Sequence, residues 1–124
     1  MGRFVIKQAR NGLYFDLQAG NYETIASSEI YSSDASCRKG IESVIRNAPI
    51  ASVEDQTKEN FSTRKNPKFE IYQDRTGHFR FRLKAKNGEI IATSEGYKAK
   101  ASCINGIKSV MKNAINAQVV YKID

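Results

Sequence analysis

In the second half of the chain, apolar residues first recur at every second position. Phe69 and Ile71 alternate with Glu70 and Tyr72, Asp74-Arg75-Thr76-Gly77 supplies a turn, and Phe79, Phe81, Leu83 and Ala85 then alternate with Arg80, Arg82, Lys84 and Lys86. A period of two sends successive side chains to opposite faces of a strand, so the pattern predicts two antiparallel strands with one face buried. Asn87-Gly88 predicts a two-residue type I′ turn, which needs positive φ at both central positions, with a third strand over Glu89 to Ser94. Beyond it the period lengthens to that of a helix. Cys103, Ile107, Val110, Met111 and Ala114 fall on one stripe, and Ala117 to Tyr121 can form a last short strand.

The first half repeats this pattern. Phe15 to Ala51 and Phe81 to Ala117 are identical at 20 of 37 positions, enough to require the same local structure. Cys37, Ile41, Val44, Ile45 and Ala48 form the matching helical stripe. Ser33 stands where an N-cap belongs, with Asp34 in the first turn, whereas the second helix starts either uncapped after Ala99 or from Ser102. Gly40 and Gly106 occupy equivalent mid-helix positions at a cost of about 1 kcal/mol each relative to alanine, which points to close approach of another backbone. Repeat one spans 1–53 and repeat two 67–124, and the polar segment 54–66 connects them within a single domain, 1–124.

One βββαβ unit has too thin a core to stand alone, so two units joined edge to edge predict an α+β fold: one antiparallel sheet with two helices on one face. The run Phe69 to Tyr72, Gly77, Phe79 to Ala85, Asn87 to Tyr97, Ala101-Ser102-Cys103, Asn105-Gly106-Ile107 and Ser109-Val110 closely resembles the repeat of the YegP-like bacterial proteins. The resemblance covers both halves and implies tandem or paired repeats in one sheet with exchanged C-terminal strands. It implies no particular activity. The first copy departs from the pattern, with Tyr14 and Asp16 where the second has Arg80 and Arg82, and Gly20-Asn21-Tyr22 in place of the Asn-Gly turn.

Composition narrows the function classes. With 124 residues, 40% of them hydrophobic and 27% charged, the chain fits one globular domain. It has no apolar run of about 18 residues and no basic-then-apolar leader, so the expectation is a cytoplasmic protein without membrane contact. Ile6, where a myristoylation signal wants Ser or Thr, speaks against a lipid anchor. The net charge of +7 is uneven: residues 1–52 carry six bases and five acids, 53–65 three of each, and 66–124 eleven and five. Alternation places Arg80, Arg82, Lys84 and Lys86 opposite the apolar face, with Tyr72 pointing the same way. Bases and an aromatic on an open sheet face are one way to hold single-stranded nucleic acid. The competing reading is a merely solvated face, on which each alanine substitution moves stability by no more than about 0.5 kcal/mol.

Catalytic chemistry finds little footing. His78, the only histidine, falls in a hairpin turn with no nucleophile nearby in sequence, which indicates a structural or exposed role. Cys37 and Cys103 sit on the apolar stripes without a CxxC spacing, as small buried hydrophobes do. Glu29 with Tyr31 and Glu95 with Tyr97 recur in both copies, either as a paired polar site across the dyad or as ties for the turn before each helix. No cofactor or metal signature is present. The sequence therefore predicts a small non-enzymatic binding or structural module, monomeric with internal pseudo-twofold symmetry, whose macromolecular partner is unknown. The alternative is a nucleic-acid-binding protein using the basic outer face of repeat two.

Overall fold

The computed structural model describes residues 2–123; Met1 and Asp124, the outer bounds of the two repeats, lie outside the described residues. Repeat one supplies strands β1 (Arg3–Ala9), β2 (Gly12–Gln18) and β3 (Thr24–Ser27), helix α1 (Asp34–Asn47), a 3-10 turn (Ala48–Ile50) and strand β4 (Ser52–Asp55). Repeat two supplies β5 (Lys68–Gln73), β6 (Phe79–Lys84), β7 (Ile90–Thr93), α2 (Lys100–Ala114) and β8 (Gln118–Lys122). The alternating and helical stretches fall where their periods place them, with β4 reaching through Glu54 and Asp55 into the segment expected to be linker.

All eight strands form one sheet in the order β4-β5-β6-β7-β3-β2-β1-β8. That order reads the same from either end when the repeats are interchanged, so a pseudo-dyad passes between β3 and β7, which meet at Ser27 and Thr93. The C-terminal strands are exchanged: β4 lies beside β5 and β8 beside β1. Within a repeat the strands pair antiparallel, but both exchanged strands run parallel to their new neighbours, so the sheet is mixed rather than wholly antiparallel. The parallel sense follows from the helix that precedes each exchanged strand and returns the chain to the end from which it started.

Both helical stripes share one core with the strands. Phe4, Phe15, Phe69 and Phe81 are the largest fully buried side chains, joined there by Ile41, Val44, Ile107 and Val110. Edge-to-face pairs Phe4–Phe15 and Phe69–Phe81 occupy equivalent places in the two halves. Ser33 caps α1 by accepting the Ser36 amide at 3.1 Å, whereas α2 begins at Lys100 with no side-chain cap on Ala99. Side chains, not a second backbone, explain the mid-helix glycines. A Cβ on Gly106 would come within 2.6 Å of Tyr97 Oη and 3.0 Å of Phe81 Cε2, and Gly40 meets Tyr31 and Phe15 in the same way.

The β6–β7 connection is longer than expected. Gly88 donates to the Ala85 carbonyl and Ala85 to that of Glu89, and of Asn87 and Gly88 only Gly88 has positive φ, at 86°. This is a type I turn closed by a left-handed residue, not a type I′ turn. The first repeat makes the same turn with Tyr22 at φ 69 in the left-handed position, and the Arg3 guanidinium stacks 4.0 Å above its ring. Each exchanged strand is latched to the helix it joins: Lys100 of α2 meets Asp55 at 2.8 Å, and Tyr121 donates to Asp34 at 2.6 Å while accepting from Arg38 at 2.7 Å.

Candidate functional site

On the face away from the helices, β6 does present Arg80, Arg82 and Lys84 side by side, and Tyr72 points the same way from β5, with the Arg82 guanidinium 4.5 Å above its ring. Register also brings Glu70 opposite Arg82. Arg82 Nε donates to Glu70 at 2.6 Å, while Lys84 and Lys68 each stand 3.3 Å from its other oxygen. Arg80 pairs with Asp74 at 2.8 Å, and Lys68 with Glu54 of β4 at 2.8 Å. Burial works to raise the Glu70 pKa, but hydrogen bonds from Arg82 and Lys68 outweigh it and hold the carboxyl below its ordinary range. Glu54 behaves alike: burial opposes its charge, yet bonds from Gln56, Lys68 and the Arg64 amide bring its pKa down to about 2. Those bonds also fold the connecting segment over the β4 end of the face. Four bases thus meet three acids, and the face is an ion-pair network with little excess charge.

Lys86 does not belong to this face. It lies beyond the end of β6, where its amide donates to Asn47 at the C-terminal end of α1. His78 sits in the β5–β6 turn, its Nδ1 2.7 Å from Thr76 Oγ1, and Asp74 organises that turn by accepting from the Thr76 and His78 amides. Cys37 and Cys103 are free and fully buried; burial pushes both thiols up, Cys103 to about 11. Among the described residues no group of His, Cys, Asp and Glu is placed to hold a metal ion.

The feature that sequence reading missed is a pair of equivalent grooves. Each lies between the helix of one repeat and the hairpin of the other. The first, about 240 Å³, is lined by Tyr31, Gly40 and two serines of α1 together with Asn87 and Glu89. The second, about 260 Å³, is lined by Tyr97, Gly106 and two serines of α2 together with Asn21 and Glu23. The glycines let the phenol rings lie close on the helices. Neither phenol oxygen has a hydrogen-bond partner among the described residues, and neither is sealed from the surface. Burial raises both phenol pKa values, followed by the charges of Glu29 and Glu89 on Tyr31 and of Glu95 and Glu23 on Tyr97. The backbone of each tyrosine ties down the segment before its helix, through bridges to Leu13 and Phe79, so Tyr31 and Tyr97 anchor turns and line separate grooves instead of meeting at the dyad.

With this geometry in view, the likeness to known proteins is informative. The model of a domain of unknown function, DUF1508, matches residues 9–55 and 74–120. The chain belongs to that family. It is 41% identical over 120 residues to the UPF0339 protein YegP of Yersinia pestis, covering 96% of this chain and 94% of that one. A UPF0339 protein of Treponema denticola is 62% identical over 53 residues, which are 43% of this chain but 91% of that relative, so the family also includes chains one repeat long. The solution structure of yegP from E. coli, a protein of unknown function, superposes with a TM-score of 0.80 at 34% identity, covering 98% of this chain and 93% of that one. These DUF1508 relatives bear out the fold class and the YegP-like resemblance. Among the described residues no helix is long and apolar enough to cross a membrane.

Proposed function

We propose that this DUF1508 protein is a non-enzymatic binding module, acting as a monomer, that engages a macromolecular partner through its two grooves. The observation that carries this reading is their equivalence: eight of nine matched lining positions hold the same residue in both grooves, the exception being Lys39 against Asn105. A non-enzymatic role is supported by the use of His78 in a turn and by two buried thiols whose raised pKa keeps them protonated. Two free thiols also suit a reducing compartment such as the cytoplasm. The test is retention of proteins from the native lysate, treated with nuclease, on wild type and on a variant with both grooves blocked by Ser36→Arg and Ser102→Arg. Partners held by wild type and lost from the variant support the reading; identical retention refutes it.

A second reading, nucleic-acid binding, is favoured by the alignment of Arg80, Arg82 and Lys84 beside Tyr72 on the outer face. The pairing of those bases with Asp74 and Glu70 weighs against it, because a neutralised base releases no counterion from a phosphate. Partners lost on nuclease treatment would turn the choice toward this reading.

A further inference from the structure

We propose that the seat each repeat offers to an exchanged strand selects that strand by its polar chemistry, so that repeat one and repeat two accept each other and reject second copies of themselves. This reaches beyond the groove reading and does not rest on it. In repeat two the seat is the edge of β5 with the start of α2; in repeat one it is the edge of β1 with the start of α1. The rest of the contact between repeats reads alike for like and unlike pairs. Phe4, Phe15, Ile41 and Val44 of one core half answer Phe69, Phe81, Ile107 and Val110 of the other, and at the seam Ser27 meets its own counterpart, Thr93. The family includes chains one repeat long, so a seat that took any last strand would also admit strands from other chains.

The two exchanged strands differ where they meet their seats. β4 brings Glu54 and Asp55, whereas β8 brings Val120 and Tyr121 to the equivalent places, with Glu54 beside Glu70 and Val120 beside Val5. Lys68 and Lys100 each answer the β4 acids at 2.8 Å. The seat in repeat one holds Arg3 and Asp34 at those positions and a buried Val5 where repeat two has Glu70.

Interchanging the strands shows what a like pair would meet. Between two copies of repeat one, Glu54 would lie against Val5, and Arg3 is already engaged by Gln18 at 3.0 Å and by the Tyr22 ring. Asp55 would come against Asp34, with Arg38, which stands 3.4 Å from Asp34, left to serve both carboxylates. Between two copies of repeat two, Val120 would replace Glu54, and the buried Lys68 ammonium would keep only its 3.3 Å contact to Glu70. Tyr121 would meet Lys100, and Ile104 stands where Arg38 does, so the phenol would lose both its acceptor and its donor. A buried charge stripped of its partner costs far more than a lost surface contact, so Glu54 and Lys68 carry most of the selection. Asp55 and Tyr121 add to it through the mismatches they make on the wrong seat.

A protease site placed between the exposed Asn60 and Phe61 allows the folded full chain to be nicked into its two repeats. The nicked protein is unfolded in urea, refolded by dilution and its pairs counted by native mass spectrometry. Unlike pairs in at least about tenfold excess over either like pair are expected; a smaller excess, down to the statistical mixture, overturns the proposal. A second measurement on the intact chain needs no reassembly. Asp55→Tyr with Tyr121→Asp puts each partly exposed latch on the wrong seat and should lower the urea midpoint. Adding Asp34→Lys and Lys100→Asp moves the receiving groups as well and should recover at least about half of that loss. A four-site variant no more stable than the two-site one overturns selection by the seats, and decides the matter if the nicked chain does not refold.

Discussion

Lys68 Nζ lies 2.8 Å from Glu54 Oε1 with both side chains withdrawn from water, an ion pair that ties exchanged strand β4 to the repeat it enters. Without the Glu54 charge, buried Lys68 keeps only its longer 3.3 Å contact to Glu70, which already serves Arg82 and Lys84; Glu54→Gln should therefore cost about 3 kcal/mol, the lower end for breaking a buried pair from one side, and Glu54→Leu with Lys68→Leu should cost less. Folding holds the Glu54 pKa at about 2, below the ordinary 4.5. A depressed carboxylate stabilises the fold above its unfolded pKa and loses that contribution as pH falls through the folded one. The urea midpoint of wild type should therefore drop between about pH 5 and about pH 2 more steeply than that of Glu54→Gln.

Gly106→Ala tests the packing of Tyr97. Alanine should improve helix propensity by about 1 kcal/mol. The new Cβ, however, would sit 2.6 Å from Tyr97 Oη and 3.0 Å from Phe81 Cε2, and Phe81 is immobilised in the core. A net loss of about 1–3 kcal/mol is expected in urea unfolding. Adding Tyr97→Phe removes the nearer atom and should recover part of the loss; a stabilised Gly106→Ala would show that the ring yields freely.

The strands, both helices and the shared core were legible because Phe69, Ile71, Phe81 and Leu83 obey period two while Cys103, Ile107 and Val110 obey the helical period. The parallel sense of β4 and β8 was not, since it depends on where each helix returns the chain rather than on any local pattern. Glu70 was within reach: it alternates onto the same face as Tyr72, and only the Glu70–Arg82 register was needed to see that the basic strand is paired. Glu54 was hidden because it reads as part of a polar connection. The grooves required knowing that each helix faces the opposite repeat's hairpin; the identities of Asn21 with Asn87 and of Glu23 with Glu89 lie in the aligned repeats, but nothing local to them says that a helix lies across from them.

The thiols provide a direct check on helix phase. Cys37 and Cys103 are completely inaccessible, and burial raises both pKa values. A thiol reagent at neutral pH should leave both unmodified in the native protein and label two thiols per chain after addition of denaturant. Prompt labelling of either in the native state would place it outside the core.

The outer face separates the two functional readings by its response to salt. An unpaired basic strand would tolerate alanine almost without cost, but Arg82 and Lys84 serve the nearly buried Glu70. Arg82→Ala with Lys84→Ala should therefore destabilise the fold by about 1–3 kcal/mol, above the 0.5 kcal/mol or so per site expected of a solvated strand. Stability must be measured beside binding. With its bases paired, wild type should bind single-stranded nucleic acid weakly, with a slope of log K against log salt shallower than about −1. Glu70→Gln removes the acid between Arg82 and Lys84 and should steepen that slope by about 0.7 for each phosphate newly engaged. A wild-type slope steeper than about −2 that flattens in a folded Arg80→Ala, Arg82→Ala, Lys84→Ala variant would instead establish the face as a nucleic-acid site despite its ion pairs.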